Sequence, residues 1–96
     1  MDRDTAELIA YKAMAFVADD EDRMGRFLAL SGVGPTELRT RLQEPAFQLG
    51  LLDFLLNYEP DLLAFAEHAE IEPTQPAWAR RTLARAAGMR DEESSI

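Results

Sequence analysis

The sequence contains no cysteine and a single histidine among its 96 residues. Without cysteine, the chain forms no disulfides and offers no thiolate ligands to a metal. Its only serines are Ser31, Ser94 and Ser95, so a serine–histidine nucleophile would require Ser31 and His68 to meet in the fold. Nothing in their spacing indicates that they meet. We therefore predict that the chain is not an enzyme and has no cofactor.

Long apolar runs and metal-ligand spacings are also missing. Residues 1–4 are acidic and polar, whereas a secretory signal starts with basic residues and continues with an apolar run. No window reaches the roughly 18 apolar residues of a membrane-spanning helix. Glu72 is four residues from His68, but it precedes Pro73 at an expected helix end, which disfavours a metal site. We expect a soluble cytoplasmic protein without a metal or a membrane attachment.

The charge is strongly negative and unevenly distributed. The formal net charge is −8, which opposes binding to phosphate backbones. Seven acids and no Lys or Arg lie between Glu44 and Glu72, whereas four arginines and no acid lie between Trp78 and Arg90. We expect the last helix to pack against this acidic segment. The alternative is that one of the two segments is a partner surface.

Helix start and stop signals divide the sequence. Apolar residues recur at helical spacing from about residue 5 to residue 18, and the acids at 19–22 suit the positive end of a second helix. Gly32 fits a left-handed C-cap, and Pro35 fits the first turn of a third helix. Prolines in the same role predict further helices that begin near Pro45, Pro60 and Pro76.

No segment alternates apolar and polar residues with the period of a strand. The chain is also too short for two domains of ordinary size. We therefore predict an all-α fold, a compact orthogonal bundle of five or six short helices. The single domain should cover residues 1–90, and a disordered acidic tail should cover residues 91–96.

The last predicted helix carries the first candidate surface. Tryptophan and arginine are favoured at the centres of protein interfaces. We therefore predict that Trp78, Arg80, Arg81 and Arg85 contact a protein partner or a second copy of this chain. The competing interpretation is that Trp78 closes the core and the arginines lie in water. The preferred function is a non-enzymatic protein–protein interaction domain.

The second candidate lies between the second and third predicted helices. Residues 31–38 resemble the turn and the start of the recognition helix in a bacterial helix-turn-helix, with Gly32 as the turn glycine. Leu28 and Arg41 depart from the residue types usual in that motif. Capping glycines between two packed helices are the competing explanation. The alternative function is therefore a nucleic-acid binder that uses the 27–42 segment, with contacts from Thr36, Arg39, Thr40 and Arg41.

Several blocks of sequence resemble one family of small helical proteins. They comprise residues 26–32 with Leu38 and Arg39 after them, residues 52–56, Glu59, and residues 62–66. The blocks occur in the same order as in the bacterial family known as domain of unknown function three-five-seven-two. The resemblance spans roughly residues 5–85 and implies a stand-alone helical protein. It implies no activity, cofactor or site residue.

Overall fold

The computed structural model describes residues 1–88, in which every regular element is helical and no strand occurs. This confirms the predicted all-α bundle. The predicted tail at 91–96 lies outside the described residues. The helices are α1 (Arg3–Ala18), α2 (Glu21–Ser31), α3 (Leu38–Arg41), α4 (Pro45–Leu56), α5 (Glu59–Ala69) and α6 (Gln75–Ala86), with a 3₁₀ turn at Pro35–Glu37 before α3.

The helices begin and end at the residues that local chemistry favours. Asp2 caps α1 by accepting a hydrogen bond from the backbone N–H of Thr5, and Asp20 caps α2 in the same way. Gly32 ends α2 with φ 72°, a left-handed conformation that costs an L side chain energy. The predicted proline starts are confirmed, because a proline lies in the first turn of α4, α5 and α6.

Helix α4 lies at the centre of the bundle. It packs against α1 and α6, which also pack against each other, and it contacts α5 as well. Leu51, Leu52 and Leu55 of α4 are fully buried. A helix that is apolar around most of its circumference, as α4 is, requires such a position. Because α4 has buried side chains on several sides, other helices pack around it.

Helix α5 ends without a glycine. Glu70 follows its last residue with φ 59° and is the only non-glycine residue with a positive φ in residues 1–88. The backbone N–H of Ile71 then donates to the carbonyl oxygen of Ala66 at 3.0 Å, which closes the helix end. The left-handed turn therefore has a structural explanation, and it directs the chain from α5 towards α6.

Candidate protein-interaction surface

An apolar groove of about 310 Å³ opens between α2 and α4. Its floor is aromatic: the Phe27 ring lies edge-on to Phe47 and Phe54, with centroid distances of 5.6 and 5.4 Å. Gly50 faces the groove, and a Cβ added there would meet no atom within 4 Å. The groove is therefore open at its centre because α4 has no side chain at position 50.

The wall of this α2–α4 groove is an exposed leucine. Leu30 lies in the last turn of α2 and lines the groove, yet 77% of its surface is exposed. No other large apolar side chain in residues 1–88 is as exposed. Ser31, Asp53 and Asn57 add polar groups at the edges. An apolar centre with polar edges is the usual arrangement of a protein interface.

Three arginine–carboxylate pairs surround the groove. Arg26 pairs with Asp61, Arg41 pairs with Glu44, and Arg80 pairs with Asp53. Two of these guanidinium groups also lie over aromatic rings of the floor: Arg26 is 5.4 Å from the centroid of Phe54, and Arg41 is 5.7 Å from that of Phe47. The charges around the groove are therefore largely neutralised within the chain, although the chain as a whole is acidic.

The four residues of the surface predicted on α6 lie on two different sides of that helix. Trp78, Arg81 and Arg85 share the exposed side of the helix, and Trp78 is 47% exposed. About half of the Trp78 surface is therefore buried against the domain, and the other half faces solvent. Arg80 points towards α4 instead, where its guanidinium pairs with Asp53. The four residues thus belong to two different surfaces.

The last helix packs against the acidic segment as expected, but only one of its arginines pairs with an acid of that segment among residues 1–88. Helix α6 packs on α4, and Arg80 pairs with Asp53 of that segment. Within residues 1–88, no carboxylate oxygen lies within 4.0 Å of the Arg81 or Arg85 guanidinium. Arg90 lies outside the described residues. Packing inside the domain therefore explains the position of Arg80 and leaves Arg81 and Arg85 available to a ligand.

Three of the candidate nucleic-acid residues, Arg39, Thr40 and Arg41, lie on a very short helix, and Thr36 lies in the 3₁₀ turn before it. Helix α3 has four residues, which span about 6 Å at 1.5 Å per residue, about half the width of the major groove. Arg41 is engaged by Glu44, whereas Thr36, Arg39 and Thr40 are exposed. The alternative function stays a prediction without support from this geometry.

The 3₁₀ turn before α3 is held by a local cap. The Glu37 carboxylate accepts a hydrogen bond from the backbone N–H of Gly34 at 3.2 Å, and Gly32 ends α2 in the left-handed conformation. A carboxylate in this position also opposes a phosphate. The contacts agree with the explanation that these glycines cap two neighbouring helices.

The structure does not bring Ser31 and His68 together. Ser31 lies on the α2–α4 groove, where its Oγ accepts a hydrogen bond from the backbone N–H of Val33. His68 lies in a separate hollow with Lys12 and Glu70, and its ring contacts Phe16 at a centroid distance of 5.7 Å. The prediction that the chain is not an enzyme remains a prediction.

The described residues offer neither a metal cluster nor a spanning helix. In residues 1–88, no three His, Asp or Glu side chains are grouped so that they could hold a metal ion. None of the helices in that part of the chain has both the length and the apolar character needed to cross a membrane.

Comparison with known proteins identifies the family. Residues 3–86 match the model of a family described as protein of unknown function, DUF3572. The chain belongs to the DUF3572 family. This confirms the resemblance that the sequence blocks indicated. No curated protein and no solved structure matches the chain. The comparisons therefore indicate no specific function for this DUF3572 protein.

Sequence reasoning missed the α2–α4 groove of this DUF3572 protein. Phe27, Phe47 and Phe54 are apolar residues that the structure buries, but their edges also form the floor. Two local signals were present. Gly50 interrupts a segment of residues that mostly favour helix, and Leu30 lies outside the apolar stripe that Met24, Phe27 and Leu28 form on α2. Neither signal indicates a groove until α2 is placed beside α4.

Proposed function

We propose that this DUF3572 protein is a non-enzymatic helical interaction domain that self-associates through the α2–α4 groove. One observation supports the proposal: the same patch presents an apolar protrusion, Leu30, beside an apolar recess lined by Phe27, Phe47 and Phe54. A two-fold dimer requires a patch that is complementary to itself. In the proposed dimer, Leu30 of each copy enters the groove of the other.

The free energy gained by burying Leu30 is small, so we expect a weak, concentration-dependent dimer. Burying one exposed leucine contributes about 1.5–3 kcal/mol, so the two symmetric insertions contribute about 3–6 kcal/mol. Association costs about 4–15 kcal/mol in lost rotational and translational freedom. Phe27, Phe47 and Phe54 are already only 3–9% exposed, so contacts outside the groove must supply the remainder.

Charge acts differently at the groove and over the whole molecule. The arginine–carboxylate pairs around the groove leave little net charge at the contact. Two copies with a net charge of −8 each still repel one another at long range. Salt screens this repulsion, with a Debye length of about 10 Å at 0.1 M. We therefore expect the dimer to become more stable as the salt concentration rises.

Sedimentation analysis over a range of protein concentrations tests the proposal. The mass of the wild-type protein should rise with concentration, and Leu30→Asp should remain monomeric because it places a carboxylate in the apolar contact. Leu63→Asp is the matched control, since Leu63 is an exposed leucine on α5 and does not line the groove. It should associate like the wild type.

A second variant separates association from folding. Gly50→Leu fills the centre of the groove, where an added Cβ has open space. Replacing glycine inside a helix also favours folding by up to about 1 kcal/mol. This variant should therefore remain folded and lose self-association. A wild-type protein that stays monomeric at every concentration, or a Leu30→Asp variant that associates normally, would contradict the proposal.

A further inference from the structure

Helix α6 is a basic element on an acidic protein. It contains three arginines and no acid, whereas residues 1–74 contain 15 acidic and six basic residues. Residues at positions i, i+3 and i+7 lie on one side of a helix, and Trp78, Arg81 and Arg85 have this spacing. All three are exposed. We define these three residues as the α6 basic face.

Two arginines of this face differ from most others in the described part of the chain. Arg3, Arg26, Arg41 and Arg80 each pair with a carboxylate. Arg81 and Arg85 have no carboxylate within 4.0 Å in residues 1–88. Each guanidinium carries five N–H donors that suit carboxylate oxygens. The α6 basic face therefore presents two adjacent cations to a ligand.

Trp78 adds an apolar anchor one turn away. Its side chain is 47% exposed and lies three residues before Arg81 on the same side of α6. Tryptophan and arginine are both enriched at energetically important positions of protein interfaces. A ligand of this face should therefore combine carboxylates with one apolar group.

We propose that the α6 basic face binds a short acidic helix of a protein partner. Arg81 and Arg85 are four residues apart, about 6 Å along the helix axis. Two carboxylates four residues apart on a facing helix have the same separation. An apolar side chain one turn beyond them then reaches Trp78. This surface is separate from the α2–α4 groove, so the inference does not depend on self-association.

The short extent of the face favours a peptide over a nucleic acid. From Trp78 to Arg85 the face is about 10 Å long, at 1.5 Å per residue. A nucleic-acid backbone is longer than this face. Its phosphates beyond the face would lie against a protein whose net charge is −8, which repels them. A peptide with two or three carboxylates can be as short as the face, so it does not have to contact the acidic surface beyond it.

Selection from a random library of displayed peptides tests the proposal on the full chain. Peptides selected by the wild-type protein should carry Asp or Glu in pairs three or four residues apart, with an apolar residue one turn beyond. The double variant Arg81→Gln/Arg85→Gln should bind the best selected peptide about tenfold more weakly, because it removes two exposed ion pairs. Trp78→Ala should also weaken binding.

Two control variants distinguish peptide binding by the α6 basic face from an effect of net charge and from self-association through the α2–α4 groove. Lys12→Gln/Arg39→Gln removes the same number of positive charges from exposed positions outside α6 and should bind the peptide normally. Leu30→Asp, which tests self-association, should also bind it normally. The proposal is overturned if the selected peptides lack acidic residues or if the arginine double variant binds them as the wild type does. Tighter binding of a single-stranded RNA oligonucleotide to the same face would overturn it as well.

Discussion

Arg26 of α2 and Asp61 of α5 contact each other with an Nη2–Oδ2 distance of 3.0 Å, although 35 residues separate them in the sequence. The side chain of Asp61 is only 12% exposed, and Arg26 is 47% exposed. The same guanidinium lies over the rings of Phe54 and Tyr58, 5.4 and 5.5 Å from their centroids. One side chain therefore connects α2, α4 and α5 at the edge of the α2–α4 groove.

We expect Arg26→Met to lower the free energy of unfolding by about 1 kcal/mol, since it leaves the Asp61 carboxylate without its charged partner. A double-mutant cycle with Asp61→Asn, measured by urea denaturation, isolates the coupling between the two side chains. The exposed pair Arg3–Glu7 is the control, and its coupling should be about 0.3–0.5 kcal/mol. Equal coupling energies for the two pairs would show that the burial of Asp61 adds nothing.

Gln48 provides a second test, because its two polar atoms have different surroundings. The side chain is fully buried, and Nε2 donates to the carbonyl oxygen of Leu42 at 2.8 Å. Oε1 has no hydrogen-bond partner among the described residues. Gln48→Ala should cost about 2–4 kcal/mol, because it leaves a cavity and deprives a carbonyl group of its donor.

Gln48→Met should cost less than about 1 kcal/mol, since it keeps the volume and removes the unpaired Oε1 along with the donor. Thermal and urea unfolding of both variants measures the difference. Gln43→Ala, at an exposed position before α4, should change stability by no more than about 0.5 kcal/mol. If Gln48→Met were as costly as Gln48→Ala, the hydrogen bond to Leu42 would outweigh packing.

The left-handed residues that follow α2 and α5 predict changes of opposite sign. Glu70 has φ 59°, so Glu70→Gly should stabilise the fold by roughly 0.5–1 kcal/mol, the cost of that conformation for an L residue less the backbone freedom of glycine. Gly32 has φ 72°, so Gly32→Ala should destabilise it by about 1 kcal/mol. Glu67→Gly, inside α5, is the control and should destabilise. Denaturant midpoints check all three, and a Glu70→Gly variant less stable than the wild type would contradict the strain argument.

Asp2 should make the stability of the fold depend on acidic pH. A hydrogen bond with the Thr5 side chain, together with one from the Thr5 backbone N–H, holds the pKa of the Asp2 carboxyl below its ordinary value of 3.8. Because the folded pKa is the lower one, this contribution is complete above pH 3.8 and is lost as the pH falls through the folded value. Thermal unfolding against pH should show this loss in the wild type and not in Asp2→Asn, which keeps a capping oxygen.

A titration of Asp2 followed by NMR tests the cause of that shift. In Thr5→Ala, the pKa of Asp2 should rise towards its ordinary value and stay below it, because the backbone N–H still donates to Oδ1. No change at Asp2 would exclude the Thr5 side chain as the main cause.

The helix boundaries were predictable because their causes are local. Gly32, Pro45 and Pro60 determine backbone conformation through their own φ angles, so the chain carries these signals before it folds. The central position of α4 was predictable for a similar reason, because a helix apolar on most sides must be covered on most sides. The left-handed Glu70 was not predictable, since nothing in its residue type favours that conformation.

The candidate surfaces depended on which helices become neighbours. Arg80, Arg81 and Arg85 have the same side chain, and only the packing of α6 on α4 separates Arg80, paired with Asp53, from the other two. Leu30 becomes the wall of a groove only when α2 lies beside α4. The sequence by itself determined the helices, their ends and the excess of negative charge, because these follow from residues close together in the chain. The tertiary structure alone decided which side chains are paired, buried or exposed, because contacts between residues distant in the chain form only when the helices pack.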